Sequence, residues 1–112
     1  MTDFEDLLKL LVSFRDERDW AQFHDSKNLA LALSIEAAEL NELFLWKKES
    51  QAEDVDSDKL KEELADVFVF AILLAGKHGL DVSTIVREKV AANAAKYPVE
   101  KAKGTAAKYK DL

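Results

Sequence analysis

Two pairs of acidic residues lie within the apolar faces of two predicted helices. The first pair is Glu36 and Glu39, and the second is Glu63 and Asp66. At about 100° per residue, an i,i+3 spacing keeps both members of a pair on one face of a helix. The apolar residues on the same faces are Leu29, Ala32, Leu40 and Leu43 for the first pair, and Val67, Phe70 and Leu74 for the second. Carboxylates buried on an apolar face are costly unless a cation compensates their charge, which distinguishes them from solvated acids such as Glu42.

The four carboxylates converge if the two helices pack antiparallel. Like charges at such short range repel one another unless a hard cation lies between them. Ligand sets made only of oxygen suit Mg²⁺, with Mn²⁺ as a substitute. Di-iron helical bundles use a Glu-x-x-His motif instead, and neither His24 nor His78 has that spacing. The pattern therefore predicts a magnesium site, and Mg²⁺ held by carboxylates usually acts on phosphates.

Basic residues near the end of the chain offer a partner for phosphates. Residues 1–86 carry nine basic and 19 acidic side chains, whereas residues 87–112 carry seven basic and three acidic ones. Four polar residues share one side of the fourth predicted helix, namely Lys89, Asn93, Lys96 and Tyr97. One interpretation is a solvated basic face that attracts the acidic body of the protein or of a second subunit. The other is a cationic strip that holds a polyanion through a bridging metal ion.

A third group of residues has the composition of a nucleobase pocket. It consists of Trp20, Phe23, His24, Asn28 and Trp46. Aromatic faces can stack a base while Asn or His reads its edge. Ordinary core packing explains the same residues equally well, so both interpretations stay open at this point.

Helices must position all of these residues, because only three glycines and one proline interrupt the chain and no strand-like alternation is sustained. The first helix opens with a capping box, Thr2 and Glu5, and runs to about Arg18. The second helix is expected to start after Asp25 or Ser26 and to run to about Lys48. The third runs from about Ser57 to His78, with Gly79 at its C′ position. The fourth begins at Asp81 or Ser83 and stops before Pro98. Residues 49–56 are a polar linker, and residues 99–112 are a tail with a bend at Gly104.

The composition limits the class of protein. A chain of 112 residues with 48% apolar and 34% charged residues is typical of one globular domain, which we place over residues 1–112. The absence of cysteine excludes a disulfide framework, and a net charge of −6 argues against nucleic-acid binding. The longest apolar run, residues 67–75, is half of a membrane span, and no signal peptide is evident. We therefore expect a soluble, cytoplasmic protein.

The acidic motif and its flanks resemble a known family. Glu36-x-x-Glu39 followed after 23 residues by Glu63-x-x-Asp66 is similar to the signature of the MazG-like all-α nucleoside triphosphate pyrophosphohydrolases. Residues 17–47 and 96–112, with Lys89 and Asn93, resemble the dCTP pyrophosphatase branch. The likeness covers nearly the whole chain outside the linker 49–56.

The resemblance implies an all-α, four-helix MazG-like bundle that assembles as a dimer or as a dimer-of-dimers tetramer, with active sites at the subunit interface. It implies Mg²⁺-dependent cleavage of deoxynucleoside triphosphates to monophosphate and pyrophosphate, with a dCTP-like preference. By the same likeness the metal ligands and catalytic acids are Glu36, Glu39, Glu63 and Asp66. The implied substrate contacts are Trp20, Trp46, Lys89, Asn93 and Tyr97. The residue patterns add His24, Asn28, Phe70 and Lys96 as predicted contacts. As aligned, animal members of the branch have Tyr in place of Phe70 and His in place of Leu11.

These expectations leave two competing classes of function. Within enzymes, the alternatives are phosphoribosyl-ATP and dimeric dUTP pyrophosphohydrolases, against which the pattern of Trp20, His24, Asn28 and Trp46 argues. Outside enzymes, the alternative is a helical module that only binds nucleotide or a protein partner. In such a module the acids would form salt bridges with the basic tail, and binding would not need Mg²⁺.

Overall fold

The computed structural model describes residues 2–112, so Met1, the first residue of the predicted domain, lies outside the described residues. The described chain is helical throughout and contains no strand. Its α-helices are α1 (Asp3–Glu17), α2 (Ser26–Glu42), α3 (Ser57–Lys77), α4 (Val82–Lys96) and α5 (Val99–Ala102). Short 3₁₀ turns cover Ala21–Phe23, Glu49–Gln51 and Tyr109–Asp111.

Side-chain caps fix the starts of the four long helices. Thr2 and Glu5 form the predicted reciprocal capping box of α1. The carboxylates of Asp25, Asp56 and Asp81 accept hydrogen bonds from backbone amides in the first turns of α2, α3 and α4. Each cap satisfies amides that have no partner within the helix. The predicted starts of all four helices are therefore confirmed.

Gly79 ends α3 as predicted. Its φ of +66° is a left-handed conformation that glycine adopts without strain. The amide of Gly79 donates to the carbonyl of Gly76, and the amide of Leu80 donates to the carbonyl of Ala75. This pair of bonds is a Schellman motif, and it turns the chain sharply into α4.

The end of α2 differs from the prediction, which extended this helix to Lys48. The helix ends at Glu42, and residues 43–47 continue as tight turns. The amides of Leu43, Phe44, Leu45 and Lys47 donate to carbonyls three residues earlier. Trp46 then adopts a φ of +66°, which is incompatible with a continuing helix. The Lys47 ammonium donates to the carbonyl of Asp54 at 2.9 Å, and this bond closes the linker into a loop. Apolar periodicity alone did not reveal this break.

Packing between α2 and α3 forms the centre of the molecule, and α1 packs on α3. The two central helices are antiparallel, because Ser26 at the start of α2 lies 2.8 Å from the His78 imidazole at the end of α3. The buried core is small and consists of Leu29, Ile72, Leu73 and Ala75. Gly76 allows the close approach of α1, since a Cβ at this position would lie 2.5 Å from a Leu8 methyl group.

Helix α4 leaves this core at an angle of 96° to α3 and makes sparse contacts with the rest of the chain. Val86 and Val90 on α4 are more than half exposed. The accessible surface of 8754 Å² exceeds the value of about 6,200 Å² that is typical of a compact monomer of this mass. The radius of gyration of 17.5 Å likewise exceeds the typical value of about 13 Å. A single copy of the chain is thus an open, extended body.

No single helix within residues 2–112 is long and apolar enough to cross a membrane. Helices α3 and α4 meet the length and composition requirements only when taken together, across their sharp bend.

Candidate active site

Helices α2 and α3 bring three glutamates together. One carboxylate oxygen from each of Glu36, Glu39 and Glu63 lies within 4.8 Å of the other two. The i,i+3 spacing on α2 orients Glu36 and Glu39 toward α3, and the antiparallel packing places Glu63 opposite them. This spacing of oxygen atoms is suitable for a shared cation.

The electrostatics of the cluster show that its charge is uncompensated. Burial, followed by the neighbouring carboxylates of Glu39, Asp66 and Glu63, raises the pKa of Glu36 to about 7. Burial and the adjacent acids also raise the pKa of Glu63. One buried oxygen of Glu36 and one of Glu63 have no hydrogen-bond partner.

Ion pairs within residues 2–112 do not relieve this repulsion. They join neighbours in sequence, namely Arg15 with Asp16, Arg18 with Glu17, and Lys61 with Asp58. The cluster is therefore not paired with the basic tail of the same chain. This arrangement disagrees with the salt-bridged state expected of a non-catalytic module.

Asp66 lies beside this cluster and links it to a cleft. Its charge contributes to the raised pKa of both Glu36 and Glu63, although Asp66 is not one of the three residues within 4.8 Å. The cleft has a volume of about 390 Å³, and Glu36 and Asp66 form part of its wall. Its full lining is Leu11, Phe14, Arg15, Trp20, His24, Glu36, Asp66, Val69, Phe70 and Leu73.

Aromatic rings form another part of the wall of the cleft. Phe14 and Trp20 meet edge to face at 5.7 Å between ring centroids, and His24 and Phe70 do so at 6.4 Å. Burial and then the positive charge of Arg15 lower the pKa of His24, so its ring is neutral at neutral pH. The buried Nδ1 atom of His24 has no hydrogen-bond partner. The cleft thus combines apolar surfaces with a neutral imidazole that can bond a ligand.

Several predicted substrate contacts lie outside this cleft in a single chain. The Asn28 amide donates to the Phe23 carbonyl and to Asp25, so it closes the loop before α2. Trp46 is 91% exposed beyond the end of α2. Four further predicted contacts on α4 and at its C-cap do not line the cleft either, namely Lys89, Asn93, Lys96 and Tyr97.

The end of α4 is instead occupied with the tail. The Lys96 ammonium lies 5.0 Å from the Tyr109 ring centroid, and Tyr97 meets the same ring edge to face. These contacts hold the 3₁₀ turn at Tyr109–Asp111 against the α4 terminus. The tail turn at Tyr109 therefore lies against the end of α4, and no ion pair within residues 2–112 joins a basic residue of the tail to the acidic cluster.

Sequence reasoning did not include Arg15 among the site residues. It lies one helical turn after Leu11, on the apolar stripe of α1, and both residues line the cleft. A cation at this position of an apolar stripe is the signal that could have identified it. Its position also suits the negative end of the helix dipole, which gives it an ordinary structural explanation.

Comparisons with known proteins agree with this geometry. The model of the MazG-like family matches residues 31–112. Rat dCTP pyrophosphatase 1 is 40% identical over 113 residues, and the human protein of that name is 37% identical. Both alignments cover 96% of this chain but only 66% of the relative, so the chain spans slightly less than two thirds of their length.

A solved structure is also similar. It is a pyrophosphatase from Archaeoglobus fulgidus, with a TM-score of 0.81 and 35% sequence identity. The match covers 88% of this chain and 94% of that one. The fold and the matched residues define an all-helical protein of the MazG class. The chain belongs to the MazG-like family.

The carboxylate cluster fits the divalent cation that this family implies. The observation that supports the fit is the pair of buried, unpartnered oxygens on Glu36 and Glu63. A cation would satisfy both atoms and neutralise the mutual repulsion of the acids. All of the donors are carboxylate oxygens, which suit Mg²⁺ or Mn²⁺.

Proposed function

We propose that this protein hydrolyses nucleoside triphosphates to the monophosphate and pyrophosphate. The substrates are deoxynucleoside triphosphates, with a dCTP-like preference, and the role is removal of unwanted nucleotides from the pool. Family membership and the names of the similar proteins support this activity. The observation that carries the proposal is an uncompensated carboxylate cluster at the wall of an aromatic-lined cleft.

In this proposal the cluster and the cleft hold opposite ends of the substrate. Glu36, Glu39, Glu63 and Asp66 would hold Mg²⁺ at the phosphate end. Trp20 and Phe70 contact the base through their ring surfaces, and His24 bonds its edge. A bound Mg²⁺ ion would neutralise the triphosphate and acidify the attacking water.

The residues of the chain perform the remaining steps. The oxygen of the water molecule bonds to the α-phosphorus, and the bond from that phosphorus to the bridging oxygen breaks. One of the four carboxylates accepts the proton of the water molecule. Lys89 and Lys96 stabilise the negative charge that develops on the departing pyrophosphate.

The proposed site requires a second copy of the chain. Lys89 and Asn93 on α4, together with the exposed Trp46, do not line the cleft of their own chain. The surface excess of about 2,500 Å² over a compact monomer matches the area that a subunit buries in an obligate oligomer. We therefore propose a dimer, or a tetramer made of two dimers, that completes the four-helix bundle. In this assembly α4 and Trp46 of one subunit reach the cleft of another.

The test is pyrophosphate release from the eight common NTPs and dNTPs and from 5-methyl-dCTP, measured with Mg²⁺ and with EDTA. We expect release that depends on the metal and is strongest with dCTP. Glu39→Gln removes one ligand charge while keeping the shape of the side chain. It should reduce kcat at least a hundredfold, since the cation and the water lose a ligand or base.

Glu42→Gln is the matched control, because Glu42 is an exposed acid on the same helix. It should retain the wild-type rate. Equal rates for both variants would refute the assignment of the cluster. Absence of release from every nucleotide, in a folded protein that binds nucleotide equally well with EDTA, would favour the non-catalytic module.

A further inference from the structure

Arg15 is the only permanently charged cation among the described residues that line the cleft. Its side chain is 26% exposed, so most of it lies against the surrounding apolar residues. A guanidinium in such a position is partly desolvated, and its hydrogen bonds to a ligand are stronger than those made in water.

Asp16 holds the guanidinium by one edge. The Arg15 Nε and Nη2 atoms each lie 2.9 Å from the same carboxylate oxygen, Oδ1 of Asp16. These two nitrogens form the side edge of the planar fork. The end edge, which carries one N–H of Nη1 and one of Nη2, remains available for a ligand. Asp16 therefore restrains Arg15 while leaving two parallel donors for a second, bidentate partner.

Arg15 lies at the aromatic part of the cleft, because the ring of its sequence neighbour Phe14 meets Trp20 edge to face at 5.7 Å. No ion pair within residues 2–112 joins Arg15 to the acidic cluster. Its charge acts on His24, and it lowers the pKa of that imidazole. The charges that act on Glu36 are those of the other three carboxylates. A ligand whose phosphates lie at the acidic cluster would therefore present its base, and not its phosphates, to Arg15.

We propose that Arg15 determines base specificity by donating two parallel hydrogen bonds to the edge of the base. This inference rests on the proposed function, and it names the class of base that the cleft selects. The base must present two adjacent acceptors, a ring nitrogen and a carbonyl oxygen. Cytosine presents N3 and O2 in this arrangement, and guanine presents N7 and O6.

The other bases do not match this fork. In adenine, the N6 amino group lies between the ring nitrogens N1 and N7. A donor would therefore face the guanidinium beside either nitrogen. Thymine and uracil place an N–H between their carbonyl oxygens. Each mismatch leaves one N–H of a half-buried guanidinium without a partner, which is costly. A bidentate arginine contact discriminates by about 1–3 kcal/mol, or roughly 5- to 150-fold.

The test compares Arg15→Met with Lys9→Met in the full-length protein. Both changes remove one positive charge from α1, but Lys9 is exposed and lies outside the cleft. We measure kcat/KM for dCTP, dGTP, dATP and dTTP with Mg²⁺. Arg15→Met should lower the ratio of kcat/KM for dCTP or dGTP to kcat/KM for dATP at least fivefold. Lys9→Met should leave this ratio unchanged. Arg15→Lys, which cannot form a bidentate contact, should fall between Arg15→Met and the wild type.

A second measurement separates this inference from the proposed activity. Calorimetric binding of dCMP, dGMP, dAMP and dTMP in EDTA reports on the base end alone. The wild type should bind dCMP or dGMP more tightly than dAMP, and Arg15→Met should abolish the difference. If the wild type hydrolyses nothing yet shows this difference, the proposed function fails and the role of Arg15 stands.

Three results would overturn the role of Arg15. The first is an equal loss for all four nucleotides, which would indicate a contact with phosphate or a structural role. The second is an unchanged ratio in a folded Arg15→Met variant. The third is a wild type that treats dATP as well as dCTP and dGTP. Asp16→Asn adds a positioning test, because loosening the fork should reduce the same ratio without changing the thermal stability much.

Discussion

Removing the Glu36 charge should stabilise the metal-free protein above neutral pH. The folded pKa of Glu36 is about 7, whereas the ordinary value is 4.5. Between these two values the folded protein binds more protons than the unfolded chain, so stability falls as the pH rises. The loss starts near pH 4.5 and is complete above pH 7. Glu36→Gln lacks this titration and should show a flatter pH dependence.

The size of the effect follows from the pKa difference. Each pKa unit corresponds to about 1.4 kcal/mol, and Glu36 is only half-buried, so we discount the full difference to about 1–3 kcal/mol. For a chain of this length, 1 kcal/mol shifts Tm by about 4 °C. About three fifths of this loss falls between pH 5.5 and pH 8, because the loss begins near pH 4.5. The metal-free wild type should therefore melt about 2–7 °C lower at pH 8 than at pH 5.5 through this group. Glu36→Gln should recover most of that loss.

Divalent metal should reverse the difference in Tm between Glu36→Gln and the wild type at pH 8. At a concentration of one hundred times its Kd, Mn²⁺ stabilises the wild type by about 2.7 kcal/mol, or about 10 °C. Glu36→Gln should gain much less, because a ligand charge is missing. The assay is thermal melting at pH 5.5 and 8, with EDTA and with Mn²⁺, at one protein concentration. Glu42→Gln is the control and should follow the wild type.

One contradicting result is a metal-free wild type whose Tm rises from pH 5.5 to pH 8, together with a Glu36→Gln variant that has the same Tm at both pH values as the wild type. Another is destabilisation of the metal-free protein at pH 8 by Glu36→Gln. Either result would mean that Glu36 is compensated in solution and that the cluster does not store like-charge repulsion.

Three further substitutions test the fold and the shared site. Leu29→Ala should lower the free energy of unfolding by about 2–5 kcal/mol in urea denaturation, since Leu29 is 2% exposed and its truncation leaves a cavity. Gly79→Ala should cost about 1 kcal/mol in the same assay, because its φ of +66° strains any side chain; an unchanged midpoint would contradict the Schellman turn. Trp46→Ala should leave the circular dichroism spectrum intact but raise the KM for dCTP at least tenfold; unchanged kinetics would remove Trp46 from the shared site.

Helix starts were predictable because capping is local. The side chains of Thr2, Asp25, Asp56 and Asp81 act on amides two or three residues away, so the sequence contains all of the relevant information. The end of α2 was not predictable in the same way. Its sequence stays apolar to Trp46, and a side-chain bond from Lys47 to the Asp54 carbonyl closes the loop that follows.

The convergence of the acids was predictable from facial spacing, because a carboxylate on an apolar stripe must face the neighbouring helix. Glu36, Glu39 and Glu63 meet for this reason. The functional roles assigned to these residues stay predictions. Arg15 was overlooked because one arginine in the last turn of a helix has an ordinary explanation in the helix dipole.

In the proposed assembly, the relation of Trp46 and of the α4 residues to the cleft depends on more than one chain. The family resemblance predicts that Lys89 and Asn93 contact the substrate, but in one copy of the fold neither residue lines the cleft. Trp46 combines high exposure with a left-handed backbone, which is costly without a compensating contact. Both features have a physical explanation if a second subunit covers them.

The most direct test of the central claim is the fate of labelled oxygen during one turnover of dCTP. The reaction is run in ¹⁸O-water with Mg²⁺, and the products are separated and analysed by mass spectrometry. Attack on the α-phosphorus predicts dCMP that carries one ¹⁸O atom, unlabelled pyrophosphate, and no reaction in EDTA. Label in pyrophosphate, release of inorganic phosphate, or equal turnover in EDTA would contradict the account.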